Sequence, residues 1–418
     1  MVNHSFQIGV IGAGAAGMMA AAEAARSGAS VVLVEKNRKP GVKILMSGGT
    51  RCNITHHTNA KGISRAFGAG GRFLQPSLGA FPPEKVVRMF EDLGVATKVE
   101  ETGKVFPVSD RALHVRDALL NQALELGVKV HTEQPVLGFQ SKGQGGWEIL
   151  ASTDHYDVQR LIVTAGGKSW PGCGTTGDAY PWLTELGHQI VAPRPALVPL
   201  VGGSSWMHDL AGLTLTDCEV SVVVKLNRSR KPLARRRGSL LITHRGFSGP
   251  AAMDISGALT AMDSPEDVEV LLDSLPSVDE NQLIDHLTDR SREGGRQRIA
   301  TLLAHLLPKR LAIVLAQQFN ADCTVAELPK TTRLRLLDAV KRLPLSITGT
   351  LGFDKAEVTA GGVQLDEIHP KTMESRICPG LYIAGEVLNV DGPIGGYNFQ
   401  AAFSTGRAAG IAAAKSLE

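Results

Sequence analysis

Cysteine is scarce in this 418-residue chain, and the five present are scattered: Cys52, Cys173, Cys218, Cys323 and Cys378, with no CxxC pair. That excludes a dithiol relay and a cysteine-built zinc site. Phe, Trp and Tyr make up 5% of the residues, too few to favour an aromatic cage around a substrate amine. Excess charge is missing too. The formal net charge of +3 gives no reason to expect nucleic acid or an anionic membrane as a partner. No apolar run reaches the roughly 20 residues of a membrane span, and Glu23 and Arg26 interrupt the longest early stretch. There is no GxSxG elbow, no P-loop and no His, Cys or carboxylate set at metal-ligand spacing, so no metal is expected. The N-terminus shows no basic leader ahead of an apolar run. The expectation is a soluble cytoplasmic protein with a small-molecule substrate and no nucleic-acid or membrane partner.

What the chain has in quantity is glycine, 46 residues, against a usual share of about 7%. The glycines come in short clusters, as where backbone must approach a ligand closely. The first cluster lies in "VIGAGAAGMMAAAEAARSGASVVLVEK", Val10 to Lys36. A short buried strand leads into Gly12, Gly14 and Gly17, a GxGxxG turn. The first glycine permits the tight turn, the second admits a pyrophosphate and the third lets helix and strand pack. A helix is expected from about Ala15 to Ser27, its first N–H groups facing the phosphates past Ala15 and Ala16. A second strand ends at Glu35, placed to accept both hydroxyls of a ribose. A carboxylate there repels a 2′-phosphate, which leaves FAD or NAD.

Two further features extend the site. "KNRKPGVKILMSGGTRCNITH" brings Lys36, Arg38, Lys39 and Lys43 near the phosphates, and a second compact loop from Ser47 to Thr50. That loop suits a cofactor continuing beyond its pyrophosphate. "RLIVTAGG" and, near the C-terminus, "GLYIAGEVLNVDGPIGGYNFQAAFSTG" read as strands closed by glycine loops. The second is followed by a helix from about Asn398. A domain begun at residue 8 is thus completed by the last forty residues, and that final helix N-terminus can stabilise charge on a reduced flavin.

On these residues the chain resembles the two-dinucleotide-binding-domain flavoproteins. More narrowly it resembles the HI0933-like family of BaiN-type and aminoacetone-oxidase-like NAD(P)/FAD-dependent oxidoreductases. The matching stretches are "SGGTRCNITH", "TAGGKSWPGCGTTGDAY", "GSLLITHRGFSGPAAMDIS", "TAGGVQLDEI" and "GLYIAGEVLNVDGPIGGYNFQAAFSTG". The resemblance implies non-covalent FAD at Gly12, Gly14, Ala15, Ala16, Gly17, Glu35, Lys36 and Lys43. It extends this role to Gly49, Arg51, Cys52 and Asn53, to Ala165 and Gly166, and to Gly385, Glu386, Gly396, Tyr397 and Asn398. NAD(P)H is implied as a transient reductant, although no second nucleotide fingerprint is present.

The fold class expected is α/β: a Rossmann-like FAD-binding domain over 1–195 and 345–418, with two inserts. Alternating stretches such as "LTDCEVSVVVKL" place an inserted β-rich substrate domain over 196–262 and 322–344. A helical subdomain is expected over 263–321. The basic run "KLNRSRKPLARRR", Lys225 to Arg237, lacks interleaved aromatics and sits where a hairpin should turn, so a solvated hairpin explains it best. In "THRGFSGPA", His244 and Ser248 are expected to point into the space between the insert and the FAD domain, and His244 could move a proton. His369 is a weaker case. Trp170 and Tyr397 could wall a pocket, and Cys173 has no partner for redox work.

The function expected is an FAD-dependent oxidoreductase that reduces an activated C=C or similar small organic acceptor with NAD(P)H. Arg51 or His244 would polarise or protonate the acceptor. Two alternatives stay open: an FAD-dependent amine or aminoketone oxidase using oxygen, and a flavin-bearing RNA- or protein-binding redox sensor, for which the basic run is the sole support.

Overall fold

The computed structural model describes residues 2–142, 146–225, 231–262, 267–288 and 295–418. The chain forms two compact units, 1–195 with 356–418, and 196–355.

The first unit is built on a seven-stranded sheet. Its strands run in the order Lys129–His131, Val31–Val34, Val2–Ile11, Asp154–Val163, Trp147–Ala151 and Val136–Ser141, and Leu381–Ile383 also pairs with Asp154–Val163. The first four and Leu381–Ile383 are parallel, and the last two turn back as an antiparallel meander. Parallel strands are covered on both faces and therefore read as continuous apolar runs; all four residues of Val31–Val34 are buried. The helix Ala15–Arg26 follows the first strand, and its alanines are buried almost throughout. The C-terminal helix Tyr397–Lys415 lies directly on it. A Cβ at Gly406 would stand 2.3 Å from the Ala16 carbonyl oxygen, and one at Gly410 2.2 Å from that of Ala20. Only glycine lets the two backbones come this close, which ties the end of the chain to its beginning.

The second unit carries an antiparallel sheet in the order Leu343–Leu345, Val268–Asp273, Thr214–Val224, Ala234–Thr243, Gly246–Ser248, Leu200–Gly202 and Ile347–Thr350. The expected division of the insert is corrected in two places. The supposed helical piece contains the strand Val268–Asp273, whose Val268, Val270 and Leu272 are buried at period two. Its helices share one apolar core with the sheet: Leu283, Leu302 and Leu311 pack with Val220, Val222 and Val270. The return to the first unit comes at Ala356 rather than residue 345, because Leu343–Leu345 and Ile347–Thr350 pair within the second sheet.

Candidate functional site

Residues that follow parallel strands gather on one edge of a sheet. Here that edge collects Gly12, Glu35, Thr164 and Gly385. The strand ends are stitched together: Gly12 N–H donates to Val34 O at 2.8 Å, Thr164 N–H to Ile11 O at 2.9 Å and Ala384 N–H to Val163 O at 3.1 Å. Glu35 is buried, and its two oxygens accept the N–H groups of Ala13 and Asn37, both at 2.8 Å. The glycines of the first turn differ in what surrounds them. A Cβ at Gly17 would lie 1.8 Å from Gly12 O, whereas one at Gly14 would meet nothing within 4 Å. Gly17 is therefore a packing glycine and Gly14 opens a cradle at the helix N-terminus, next to Ala15 and Ala16. A Cβ at Gly385 would come 2.8 Å from Ala16 Cβ, and one at Gly12 3.1 Å from Ala165 Cα. The loop carrying Ala165 and Gly166 thus borders the same cradle.

A polar network lies alongside. Lys43 Nζ donates to Ser169 Oγ at 2.6 Å and Glu386 Oε2 at 2.5 Å. Glu386 Oε1 accepts from Ser169 Oγ at 2.7 Å and from Thr359 N–H at 2.9 Å. Burial pushes the Glu386 carboxyl up, but the Lys43 charge and these hydrogen bonds outweigh it and hold it below the usual carboxylate range. Lys36 instead reaches Thr176 Oγ1 at 2.7 Å and Asp178 at 2.5 Å, a turn that borders Asn37.

The second loop is strained. Gly48, Gly49, Thr50 and Cys52 all have positive φ, at 55°, 67°, 69° and 61°, and a β-branched threonine adopts that region rarely. Cys52 is fully buried, and burial raises its thiol to about 12, which removes it as a nucleophile. The Asn53 amide directs its nitrogen to the carbonyls of Thr55 (2.9 Å) and Val105 (3.2 Å) and its oxygen to Gly396 N–H (3.0 Å). That bond joins the loop to the glycine turn before the last helix. Asn398 closes this turn by exchanging two 2.8 Å hydrogen bonds with Gly392, and Tyr397 stacks on His56 with centroids 4.7 Å apart. Arg51 bonds to Glu100 at 2.7 Å and Asp110 at 3.2 Å, with its guanidinium 3.9 Å above the Phe106 ring.

Sequence reading missed Ser169, Thr359, His56 and Asp391. The first two hold Glu386 in place. Asp391 lies in the turn before the last helix, where burial raises its carboxyl, Arg194 opposes that and Glu386 adds to it. "TAGGKSW" and "TAGGVQL" contain the first two, but neither spacing nor periodicity marks a residue that supports another.

Other expected residues fall elsewhere. His244 and Arg245 form the two-residue turn between Ala234–Thr243 and Gly246–Ser248 in the second unit, and both are exposed. His369 is exposed. Cys173 is buried, and its thiol, raised by burial, faces Met46 Sδ at 3.2 Å. Of the basic run, residues 226–230 lie outside the described residues. Arg235, Arg236 and Arg237 are each paired, with Glu219, Asp254 and Asp217, at 2.6–2.7 Å. The fold also brings one potential ligand atom each of His4, His131 and Asp154 within 4.8 Å of one another, which spacing along the chain could not reveal. His131 Nδ1 there bonds Tyr156 at 2.8 Å and Asp154 accepts from Gln134 at 3.1 Å.

The arrangement fits a flavin dinucleotide: an open glycine cradle on a helix N-terminus, a buried carboxylate beside it, and further glycine turns joined to it by Glu386 and Asn53. Comparison with known proteins agrees. The model of the HI0933-like protein Rossmann domain matches residues 6–412. The chain belongs to the HI0933-like family. It is thereby an FAD-binding oxidoreductase. Among its relatives, the 3-dehydro-bile acid delta(4,6)-reductase of Clostridium scindens is 33% identical over 98% of this chain and 99% of its own. The ribosomal RNA dihydrouridine synthases of Haemophilus influenzae and Escherichia coli are 31% and 32% identical, over 96% and 95% of this chain and 97% and 95% of theirs. Solved structures with the same fold include the Escherichia coli quinol fumarate reductase FrdA, with TM-score 0.52 and 16% identity over 99% of this chain and 71% of that one. Another is the 3-ketosteroid-delta4-(5alpha)-dehydrogenase of Rhodococcus jostii RHA1, with TM-score 0.51 and 16% identity over 99% and 98%.

The ribosomal RNA synthases overturn one expectation. Nucleic acid cannot be set aside as a partner on a net charge of +3, since two full-length relatives are named for work on RNA. Among the described residues no helix is long and apolar enough to cross a membrane.

Proposed function

We propose that the protein reduces a carbon–carbon double bond conjugated to a carbonyl, with NAD(P)H as the source of electrons. The observation that carries this is the full-length likeness to relatives named for one kind of bond change. A 3-oxo steroid with Δ4 and Δ6 double bonds and a uracil ring with its C5=C6 bond both place C=C next to C=O. The net change adds a hydride equivalent and a proton across C=C and leaves the nicotinamide oxidised.

FAD, when bound, supplies two-electron transfer between reductant and acceptor. Gly12, Gly14, Ala15, Ala16 and Gly17 would receive its pyrophosphate, and Glu35 its adenosine ribose. Lys43, Ala165, Gly166, Gly385 and Glu386 would line the middle of the cofactor, with Lys36 at its margin. Gly49, Arg51, Cys52, Asn53, Gly396, Tyr397 and Asn398 would lie toward its ring. The Tyr397–Lys415 helix offers free N–H groups to negative charge there.

Hydride addition to a conjugated C=C builds negative charge on the carbonyl oxygen, which an always-charged donor stabilises. Arg51 suits that task. It is permanently cationic, about a third exposed, and its two carboxylate bonds both use Nη1, which leaves the remaining N–H groups for a substrate. The proton for the second carbon needs an acid. Asp391, in the turn before the last helix and with its carboxyl raised by burial, is the group for this role.

An anaerobic stopped-flow experiment tests the reading. The FAD-loaded protein is reduced with NADPH or NADH, then mixed with a 3-oxo-4,6-diene steroid or a uridine-containing RNA. Reoxidation by one of these, with recovery of the saturated product, is expected. Flavin that stays reduced with every conjugated acceptor, and is reoxidised only once oxygen is admitted, would refute it.

A further inference from the structure

We propose that Lys61, Arg65 and Arg72 form a surface that grips the phosphate backbone of an RNA substrate. For the fate of the base this rests on the reduction proposed above, whereas the binding stands without it.

From Lys36 to Pro83 the chain has eight lysines and arginines and not one Asp or Glu. At the chain's average of 41 acidic residues in 418, a stretch of that length would carry about five. Three of the eight cations are spent inside the site: Lys36 on Asp178, Lys43 on Glu386, and Arg51 on Glu100 and Asp110. Lys61 and Arg65 stand four apart on the helix Ala60–Ala66, so they share a face, and Arg72 lies in the first turn of the next helix, Gly71–Ala80. All three are exposed, and among the described residues none is paired with a carboxylate.

Their position places them at the site. A Cβ at Gly71 would sit 1.9 Å from the Ser64 carbonyl oxygen, and Ser64 Oγ donates to Gly71 O at 2.9 Å. Arg65 and Arg72 flank this contact. The same segment leans on the turn that precedes the last helix. A Cβ at Gly70 would be 3.2 Å from Val390, and one at Gly392 2.8 Å from the Phe67 ring. The unpaired cations therefore rim the turn that carries Asp391 and Asn398.

The run around Arg237 looks more basic in sequence, but its described arginines are each held by a carboxylate. An ion pair already made has less to offer a phosphate. Exposed lysines and arginines without acidic neighbours bind polyanions by releasing counterions, and each phosphate contact contributes about 0.7–0.9 to the salt slope.

The test is fluorescence anisotropy of a labelled uridine-rich RNA stem-loop from 50 to 200 mM salt, with wild type and a K61A/R65A/R72A variant. Flavin content and thermal melting serve as folding controls. Wild type is expected to bind with an affinity that falls steeply with salt. The variant should bind at least tenfold more weakly at 50 mM, with a log–log slope smaller by about 2–3. Unchanged affinity and slope in the folded variant would overturn the proposal, as would a wild type that does not bind RNA but sediments with phosphatidylserine vesicles. RNA binding lost in the variant while no conjugated acceptor is ever reduced would leave this surface standing and remove the reductase reading.

Discussion

Gly14 and Gly17 belong to one motif, yet the structure assigns them opposite consequences on substitution. Gly14 has φ −81° and ψ −169°, an extended conformation open to any residue, and a Cβ there meets nothing within 4 Å. Gly14→Ala should therefore fold as well as wild type, or gain a few tenths of a kcal/mol from a less flexible unfolded chain. The new methyl would occupy the approach to the helix N-terminus. Displacing the pyrophosphate by a methyl radius forfeits about two charge-assisted hydrogen bonds, each worth about 1.5–3 kcal/mol. The expected loss in FAD affinity is ~10²- to 10⁴-fold. Gly17→Ala drives its Cβ to 1.8 Å from Gly12 O and 2.6 Å from Thr164 Oγ1. Backbone cannot step aside cheaply, so the fold itself should lose about 1–3 kcal/mol or more. The assay is a thermal melt of each apoprotein with FAD affinity measured alongside, because cofactor bound at 1,000 times its Kd adds about 4 kcal/mol of apparent stability. A Gly14→Ala protein that binds FAD within threefold of wild type, or an apoprotein that melts as low as that of Gly17→Ala, would refute the reasoning.

Four other outcomes are expected. Lys43→Met strands the Glu386 carboxylate, at a cost of about 1–3 kcal/mol once partial exposure is allowed for. Since the folded carboxyl titrates below its unfolded value near 4.3, its contribution is full above that pH and is lost as pH falls through the folded value. The acid limb of a melting curve taken from pH 3 to 7 should flatten in the variant, and an unchanged limb would dismiss the network. Cys52 and Cys218, both raised to about 12, should resist iodoacetamide at pH 8 until the chain unfolds, when mass spectrometry finds all five cysteines alkylated. Arg51→Lys should change stability by less than about 1 kcal/mol but lower turnover by at least ~10-fold; wild-type turnover would remove Arg51 from the mechanism. Asp391→Asn should abolish the alkaline limb of the pH–rate profile if Asp391 is the acid, because an acid raised by burial loses its proton, and its function, as pH climbs. A limb that persists in the variant would remove Asp391 from that role.

The cofactor frame was legible because its signals are local. Strand, Gly12, helix and Glu35 follow one another within 28 residues, and each is imposed by backbone sterics and burial period. The closing segment was legible as well, since "GLYIAGE" repeats the pattern of a strand ending in glycine. What stayed hidden depends on contacts between distant residues. Lys43 and Glu386 are 343 apart, and no local pattern states that a lysine after one strand neutralises a glutamate after another. The strand Val268–Asp273 went unseen among helices because six alternating residues give a weak signal beside the helical segments that follow it. The arginines from 235 to 237 read as a solvated hairpin, and their pairing stayed hidden since their partners, Glu219, Asp254 and Asp217, come from other parts of the second unit.

A uracil ring and a 3-oxo-4-ene present the same reacting element to a flavin, so the cofactor frame has little basis for preferring one. What separates a ribosomal RNA from a bile acid is charge, one negative unit per nucleotide against a small, largely apolar body. Discrimination must then come from groups beside the frame that respond to a chain of phosphates. Net charge is a poor measure of this, because +3 averages the paired arginines 235–237 with an unpaired basic shoulder. The acid-free stretch from Lys36 to Pro83 concentrates cations on the unit that holds the cofactor, next to the turn that carries Asp391 and Asn398. A specificity built this way should be electrostatic in its dependence. Raising salt from 50 to 200 mM should depress reduction of an RNA substrate steeply, through KM, while leaving reduction of an uncharged conjugated ketone nearly constant. Equal salt dependence for both substrates would show that the shoulder does not select.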